Sequence, residues 1–266
     1  MELDFDCELA VQRVVDIINK YYSQTKEIET IDKKIGNDIV TDIDIFMEKS
    51  IIAELSKFYP THSFNAEEQG EMIKDSNGDF YEWLIDPIDG TINFAAGMPE
   101  YGVVAALQKN GETILGVTVL PKINEVFTCI KGKGAFCNGK KISVSKNTEL
   151  GDCLIGVYMY LNDTPEINKK TAKLLETLNP ICRGVRIVGC SSMASCYVAY
   201  GKFDAIINLR ATISLGSTTG RLCIEEAGGK VTNIKNEPRS KKDTMICSNS
   251  LIHDKLYNII SQIVDQ

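Results

Sequence analysis

No CxxC pair occurs in this 266-residue chain, and it holds only two histidines, His62 and His253. Both scarcities argue against a zinc site built from cysteine and histidine. No apolar run approaches the roughly 18 residues that a membrane span requires, so no membrane partner is expected. Repeats, low-complexity tracts and an obvious linker are missing too. So is an excess of positive charge: Lys and Arg number 29 against 36 Asp and Glu, a formal net charge of -7 at pH 7. That balance disfavours nucleic acid as a partner. It leaves anionic substrates open where a metal cation or a helix N-terminus mediates the contact. The nine cysteines are odd in number and irregularly spaced, and no signal peptide is expected before them. Reduced thiols in a cytoplasmic protein are the expectation.

What is present is ordinary globular material, 44% hydrophobic and 24% charged. The length suits about one to two domains, and residues 1–266 are expected to form one compact unit. Its N-terminal half, 1–148, reads as α+β, and its C-terminal half, 149–266, as α/β. Cys7, Val11, Val14, Ile18 and Tyr21 recur at helical steps. A second helix is expected from near Asp42 to Phe58, with Met47, Ile51, Leu55 and Phe58 on one face and Pro60 as its stop. THSFNAEEQGE holds a strand ending near Glu67, and an SNGD turn at 76–79 leads into a strand at 80–85. Hairpins follow: GVVAALQ with TILGVTVLP around Asn110-Gly111, then EVFTCIK with KKISVS around Asn138-Gly139. Strands and helices then alternate. CLIGVYMY, RGVRIVG, FDAIINL, GKVTN and TMICSN read as strands. Residues 165–178, SSMASCYVAYG, 217–227 and Asp254 to Ile263 read as helices. Such alternation argues for layered α/β architecture.

The chemistry concentrates in YEWLIDPIDGTINF, residues 81–94, where a strand delivers Asp86 and Asp89 into Gly90 and Thr91. Asp-Pro and Asp-Gly are also ordinary turn sequences, so a plain turn competes. Glu67 and Glu68 sit at another strand end, and Asp42 and Asp44 at a helix start. Gathered at one sheet edge, these acids repel unless a hard divalent cation neutralises them. Magnesium suits better than calcium, because no EF-hand-type loop is present and the scattered acids leave coordination positions to water and phosphate. Gly90 to Asn93 offers free backbone N–H groups to that phosphate.

DPIDGTINF at 86–94 resembles the first signature of the inositol monophosphatase family, lithium-sensitive magnesium-dependent phosphatases that include fructose-1,6-bisphosphatases. IVTDID at 39–44, SFNAEE at 63–68, KGKGAFCNGKKISVS at 131–145, Gly189-Cys190-Ser191-Ser192 and EEAGGKVT at 225–232 extend the resemblance over nearly the whole chain. It implies a layered αβαβα sandwich of the sugar-phosphatase type, commonly a homodimer. It implies that Glu67, Asp86, Asp89 and the carbonyl of Ile88 hold two or three Mg2+ ions. Thr91, oriented by Asp44, would help activate the attacking water, and the amides of Gly90 and Thr91 would cradle the phosphate. Transfer to water would be direct, without a phosphoenzyme.

Two departures stand out. The family's last signature carries Trp-Asp about ten residues before Glu-Ala-Gly-Gly, and that Asp completes the second metal site. Here Leu215-Gly216 stands in its place, and no aspartate lies between Asp204 and Asp243. Ser217, Thr218 or water would have to supply an oxygen instead. Asn208 sits where many members carry an acid that meets a substrate hydroxyl, and Arg210 offers a partner for a second phosphate; a solvated surface arginine is the competing reading. Ser191 and Ser192 read equally as substrate contacts or helix N-caps. Lys131, Lys133, Lys140 and Lys141 read as a solvated hairpin edge, His62 as structural, and Cys190 and Cys196 as packed side chains.

The sequence therefore supports a Mg2+-dependent phosphomonoesterase for a small phosphorylated polyol, sugar or nucleotide, with an inositol-phosphate-like monoester as the leading substrate. Fructose 1,6-bisphosphate and 3′-phosphoadenosine 5′-phosphate are rivals within that class. A phosphatase-like binding protein with little or no turnover is the reading from a different class, motivated by the missing aspartate.

Overall fold

Helix α1 (Cys7–Gln24) starts where Asp6 accepts the amide of Leu9, and it buries Cys7, Ala10, Val14, Ile17 and Ile18. The computed structural model describes residues 5–25, 33–35, 38–74, 78–160, 163–210, 215–237 and 245–264. β1 (Lys33–Ile35) and β2 (Asp38–Val40) form an antiparallel ribbon. Helix α2 (Asp42–Phe58) opens with a reciprocal capping box between Thr41 and Asp44. Met47, Ile51 and Leu55 are buried as the spacing predicts, but Phe58 is 46% exposed. It lies on the outer end of the helix, where the Arg13 guanidinium covers its ring at 4.3 Å.

The large sheet contains β3 (Ser63–Ala66), β4 (Gly70–Met72), β5 (Tyr81–Asp89), β6 (Gly102–Lys109), β7 (Glu112–Leu120), β8 (Glu125–Ile130), β9 (Gly134–Cys137) and β10 (Lys140–Lys141). Its order is β10-β9-β8-β7-β6-β5-β3-β4, antiparallel except where β3 lies parallel to β5. The KKISVS strand shrinks to Lys140–Lys141; beyond it, Val144 donates to the carbonyl of Ala227 rather than to a strand partner. β5 runs past residue 85 to Asp89, and the short helix α3 (Thr91–Ala95) follows. Part of the SNGD turn lies outside the described residues.

The small sheet contains β11 (Leu154–Val157), β12 (Gly184–Arg186), β13 (Ala205–Asn208), β14 (Lys230–Thr232) and β15 (Met245–Ser248), ordered β12-β11-β13-β15-β14. Helices α4 (Pro165–Leu178), α5 (Ser191–Ala199), α6 (Gly216–Glu226) and α7 (His253–Val264) complete the chain. Three apolar clusters define the layers. One lies between α1–α2 and the large sheet, the second holds α5 and α6 between the two sheets, and the third lies between the small sheet and α4–α7. The result is the expected αβαβα sandwich. α5 and α6 are buried almost all round, which explains their small residues: a Cβ on Gly220 would stand 2.2 Å from that of Ser195. Among the described residues, no helix is long and apolar enough to cross a membrane.

Candidate metal and phosphate site

The site forms where β3 and β5 end side by side. Ala66 pairs with Ile85, and the amide of Glu67 continues the ladder by donating to the carbonyl of Ile85 at 3.2 Å. Strand alternation would send Asp86 and Asp89 to opposite faces. The pairing with β6 jumps from Asp86–Val104 to Asp89–Gly102, so one extra residue bulges out of β5. Pro87 has no amide to give to the ladder, and a bulge is where a sheet tolerates it. That extra residue turns both aspartates the same way. A Cβ added to Gly216 would lie 2.8 Å from Asp89 Cγ and 2.9 Å from Asp86 Oδ2, so both acids converge on the start of α6.

Asp86 is 2% exposed, and its Oδ1 has no hydrogen-bond partner. Burial, then Glu67 and Asp89, pushes its carboxyl well above the usual range. Glu67 shares a hydrogen bond with Asp86; burial among these acids pushes it up to about 7. By surface area Glu67 is nonetheless exposed. The two facts agree if the side chain faces a cleft: open to solvent on one side, crowded by protein on the others. Asp44 is 2% exposed, and burial raises it to about 6 against the opposing pull of Thr41.

Other expected contacts are rearranged. Asp44 accepts from the Thr41 amide at 2.9 Å and from its hydroxyl, while the Thr91 hydroxyl donates to the carbonyl of Ile88 at 2.9 Å. The direct Asp44–Thr91 orientation expected from the sequence is therefore replaced by a helix cap on one side and a turn on the other. Asp89 faces α5: it accepts the Ser191 hydroxyl at 3.0 Å, the Ser192 amide at 2.5 Å and the Cys190 thiol at 3.1 Å. Ser191 and Ser192 thus do not cap α5 with their own side chains; an acid about a hundred residues earlier does. Among the described residues, no three His, Cys, Asp or Glu side chains already stand as a metal cage, in keeping with Asp89 being turned to α5. Gly90 adopts φ +93, and a Cβ there would meet the Glu100 carbonyl at 2.9 Å, so only glycine fits this entry to α3.

At the end of β13, Asn208 is 2% exposed; its amide group reaches Tyr160 Oη at 3.4 Å and its oxygen accepts the Arg210 amide. Arg210 Nε stands 3.6 Å from Asp163, whose side chain is 2% exposed, and its guanidinium lies 5.0 Å from the Tyr160 ring centroid. Thr218, one of the substitute oxygens, keeps a buried hydroxyl without a partner. Lys131 pairs with Glu112 and Lys133 with Glu8, on the surface. His62 is stacked between Tyr59 and Tyr81 at 4.9 and 4.8 Å, and burial lowers it to about 4. Cys190 and Cys196 are fully packed, and burial raises both thiols.

Comparison with known proteins gives these features a context. Residues 2–265 match the sequence profile of the inositol monophosphatase family. The fructose-1,6-bisphosphatase/inositol-1-monophosphatase of Thermotoga maritima is 34% identical over 270 residues, 99% of this chain and 97% of that protein. The Nus factor SuhB of Pseudomonas aeruginosa is 33% identical over 208 residues, 78% of this chain and 76% of that one. A solved inositol monophosphatase structure from Thermotoga maritima superposes with TM-score 0.82 at 31% identity, covering 97% of both chains.

Proposed function

The chain belongs to the inositol monophosphatase family, and we propose that it is a Mg2+-dependent phosphomonoesterase acting on a small phosphorylated polyol or sugar. The observation that carries this reading is the meeting of Glu67 with Asp86, whose buried oxygen has no partner. Acids driven together and left unsatisfied are what a hard cation resolves. The residues present fit such an ion. Glu67, Asp86, Asp89 and the Ile88 carbonyl would hold it, an all-oxygen donor set. When bound, Mg2+ supplies charge neutralisation, polarisation of the phosphoryl group and activation of water. The chain's own residues do the rest. The Gly90–Thr91 turn presents backbone amides to the phosphate, and the Thr91 hydroxyl, held beside the Ile88 carbonyl, orients the attacking water.

Arg210 bears on the substrate. Its guanidinium faces a buried carboxylate and a tyrosine ring, so a second phosphate there would compete with Asp163. A monoester is therefore the better fit than a bisphosphate. Gly216 favours a second reading, a phosphatase-like binder of low turnover, because glycine brings no side-chain carboxylate where the family carries an acid.

Phosphate release from a panel of monoesters, with and without Mg2+, tests the proposal. We expect hydrolysis that needs Mg2+ and falls to background in Asp86→Asn. Saturable ligand binding with no release at high Mg2+ would replace the enzyme by the binder.

A further inference from the structure

Glu48 is an acid that the sequence motifs pass over. It lies one helical turn after Asp44 on α2 and is 0% exposed. A buried carboxylate is costly unless it is hydrogen-bonded. Glu48 satisfies both its oxygens on consecutive backbone amides: Oε2 accepts from Glu68 N at 2.8 Å, and Oε1 from Gln69 N at 2.9 Å. Those amides belong to the tight turn between β3 and β4, closed by the Ala66–Gly70 pair. Glu67 is the residue just before them. Its own amide is held by the Ile85 carbonyl. Three successive N–H groups are thus fixed, one by β5 and two by α2, and the side chain between these anchors meets Asp86.

We infer that Glu48 is a positioning residue, a carboxylate on α2 that clamps the 67–69 turn and aims Glu67 at Asp86. The inference rests on the reading of Glu67 and Asp86 as cation ligands. The charge-assisted bonds to two amides are stronger than neutral ones, which suits a turn that must hold an acid against the repulsion of its neighbours. An uncharged side-chain amide offers one acceptor oxygen where the carboxylate offers two, one for each backbone donor. Groups behind a ligand typically change metal affinity by about 10–100-fold when removed.

The test is Glu48→Gln, which keeps the shape but puts an amide N–H group against one of the backbone donors. Mn2+ binding is followed by the spectroscopic signal of the free ion, without turnover, and amide exchange is measured at Glu68 and Gln69. The expected result is a dissociation constant for Mn2+ raised about ten-fold or more, with faster exchange at both amides. Glu48→Asp, which keeps the charge but withdraws it by one methylene, should give a smaller rise in the same direction, and it serves where the Gln variant does not fold. Faster exchange with unchanged Mn2+ affinity would overturn the proposal and leave Glu48 as scaffold only. Wild-type chain that binds no Mn2+ would remove the cation reading itself and this inference with it, an outcome recognised before any variant is made.

Discussion

Glu67 and Asp86 set the pH behaviour of the site. Glu67 moves from its usual 4.5 up to about 7 in the folded chain, so between those values the folded state holds a proton that the unfolded state has released. The contribution of this group to stability is therefore full below about 4.5 and is lost as pH rises through about 7. A cation must displace that shared proton, so Mg2+ affinity should climb as pH rises through about 7. Calorimetric titration at pH 5.5, 6.5 and 7.5 checks this; in Glu67→Gln the climb should shrink sharply. Gly216 yields a second prediction at this scale. A side chain there would strike Ser191 Oγ at 2.7 Å as well as both aspartates. Adding an acid at that position is thus not a simple gain of a ligand, as counting along the chain suggests. Gly216→Ala should cost about 1–3 kcal/mol by overpacking, read from urea midpoints in metal-free buffer.

At the scale of elements, the bulge in β5 and the start of α5 depend on one another. The bulge delivers Asp89 to the Ser192 amide, which α5 would otherwise leave open. Asp89→Ala should therefore destabilise the metal-free chain by about 0.5–2 kcal/mol, the range for a lost N-cap. Asp89→Asn, which keeps an acceptor, should cost less. Denaturant unfolding without metal separates the two, and equal losses would remove the capping role. The acids at 67, 86 and 89 were legible in the sequence because each sits at the end of a patterned run. Their common direction was not, since strict alternation separates Asp86 from Asp89 and only a bulge at Pro87 reunites them. Glu48 was invisible for a related reason. On a helix read by its apolar spacing, a glutamate between Met47 and Ile51 passes for a solvated residue, and nothing local reveals the turn that covers it. Phe58 erred the other way: helical spacing placed it inside, but it ends the helix, where Arg13 covers it. KKISVS lost most of its strand because, after Ile142 donates to Ala135, Val144 donates to Ala227, a partner that hairpin reasoning cannot supply.

Across the whole molecule, the layered order was readable from the switch between hairpin patterns and strand–helix alternation. The middle apolar layer draws residues from both halves, from Leu120 and Phe127 as well as from Met193, Leu222 and Met245. Because α5 and α6 are buried in that layer and both begin at the acid cluster, strain at the site bears directly on global stability. Ligand binding to the folded state alone stabilises by about 2.7 kcal/mol at a concentration a hundred times the dissociation constant. The most direct test of the cation account is the melting temperature of wild type and Asp86→Asn at pH 7.5, each with and without Mg2+. Neutralising a buried, crowded acid should make the metal-free variant more stable than the metal-free wild type, while Mg2+ should raise the melting temperature of wild type alone. A wild type indifferent to Mg2+, paired with a variant less stable than it, would contradict the account.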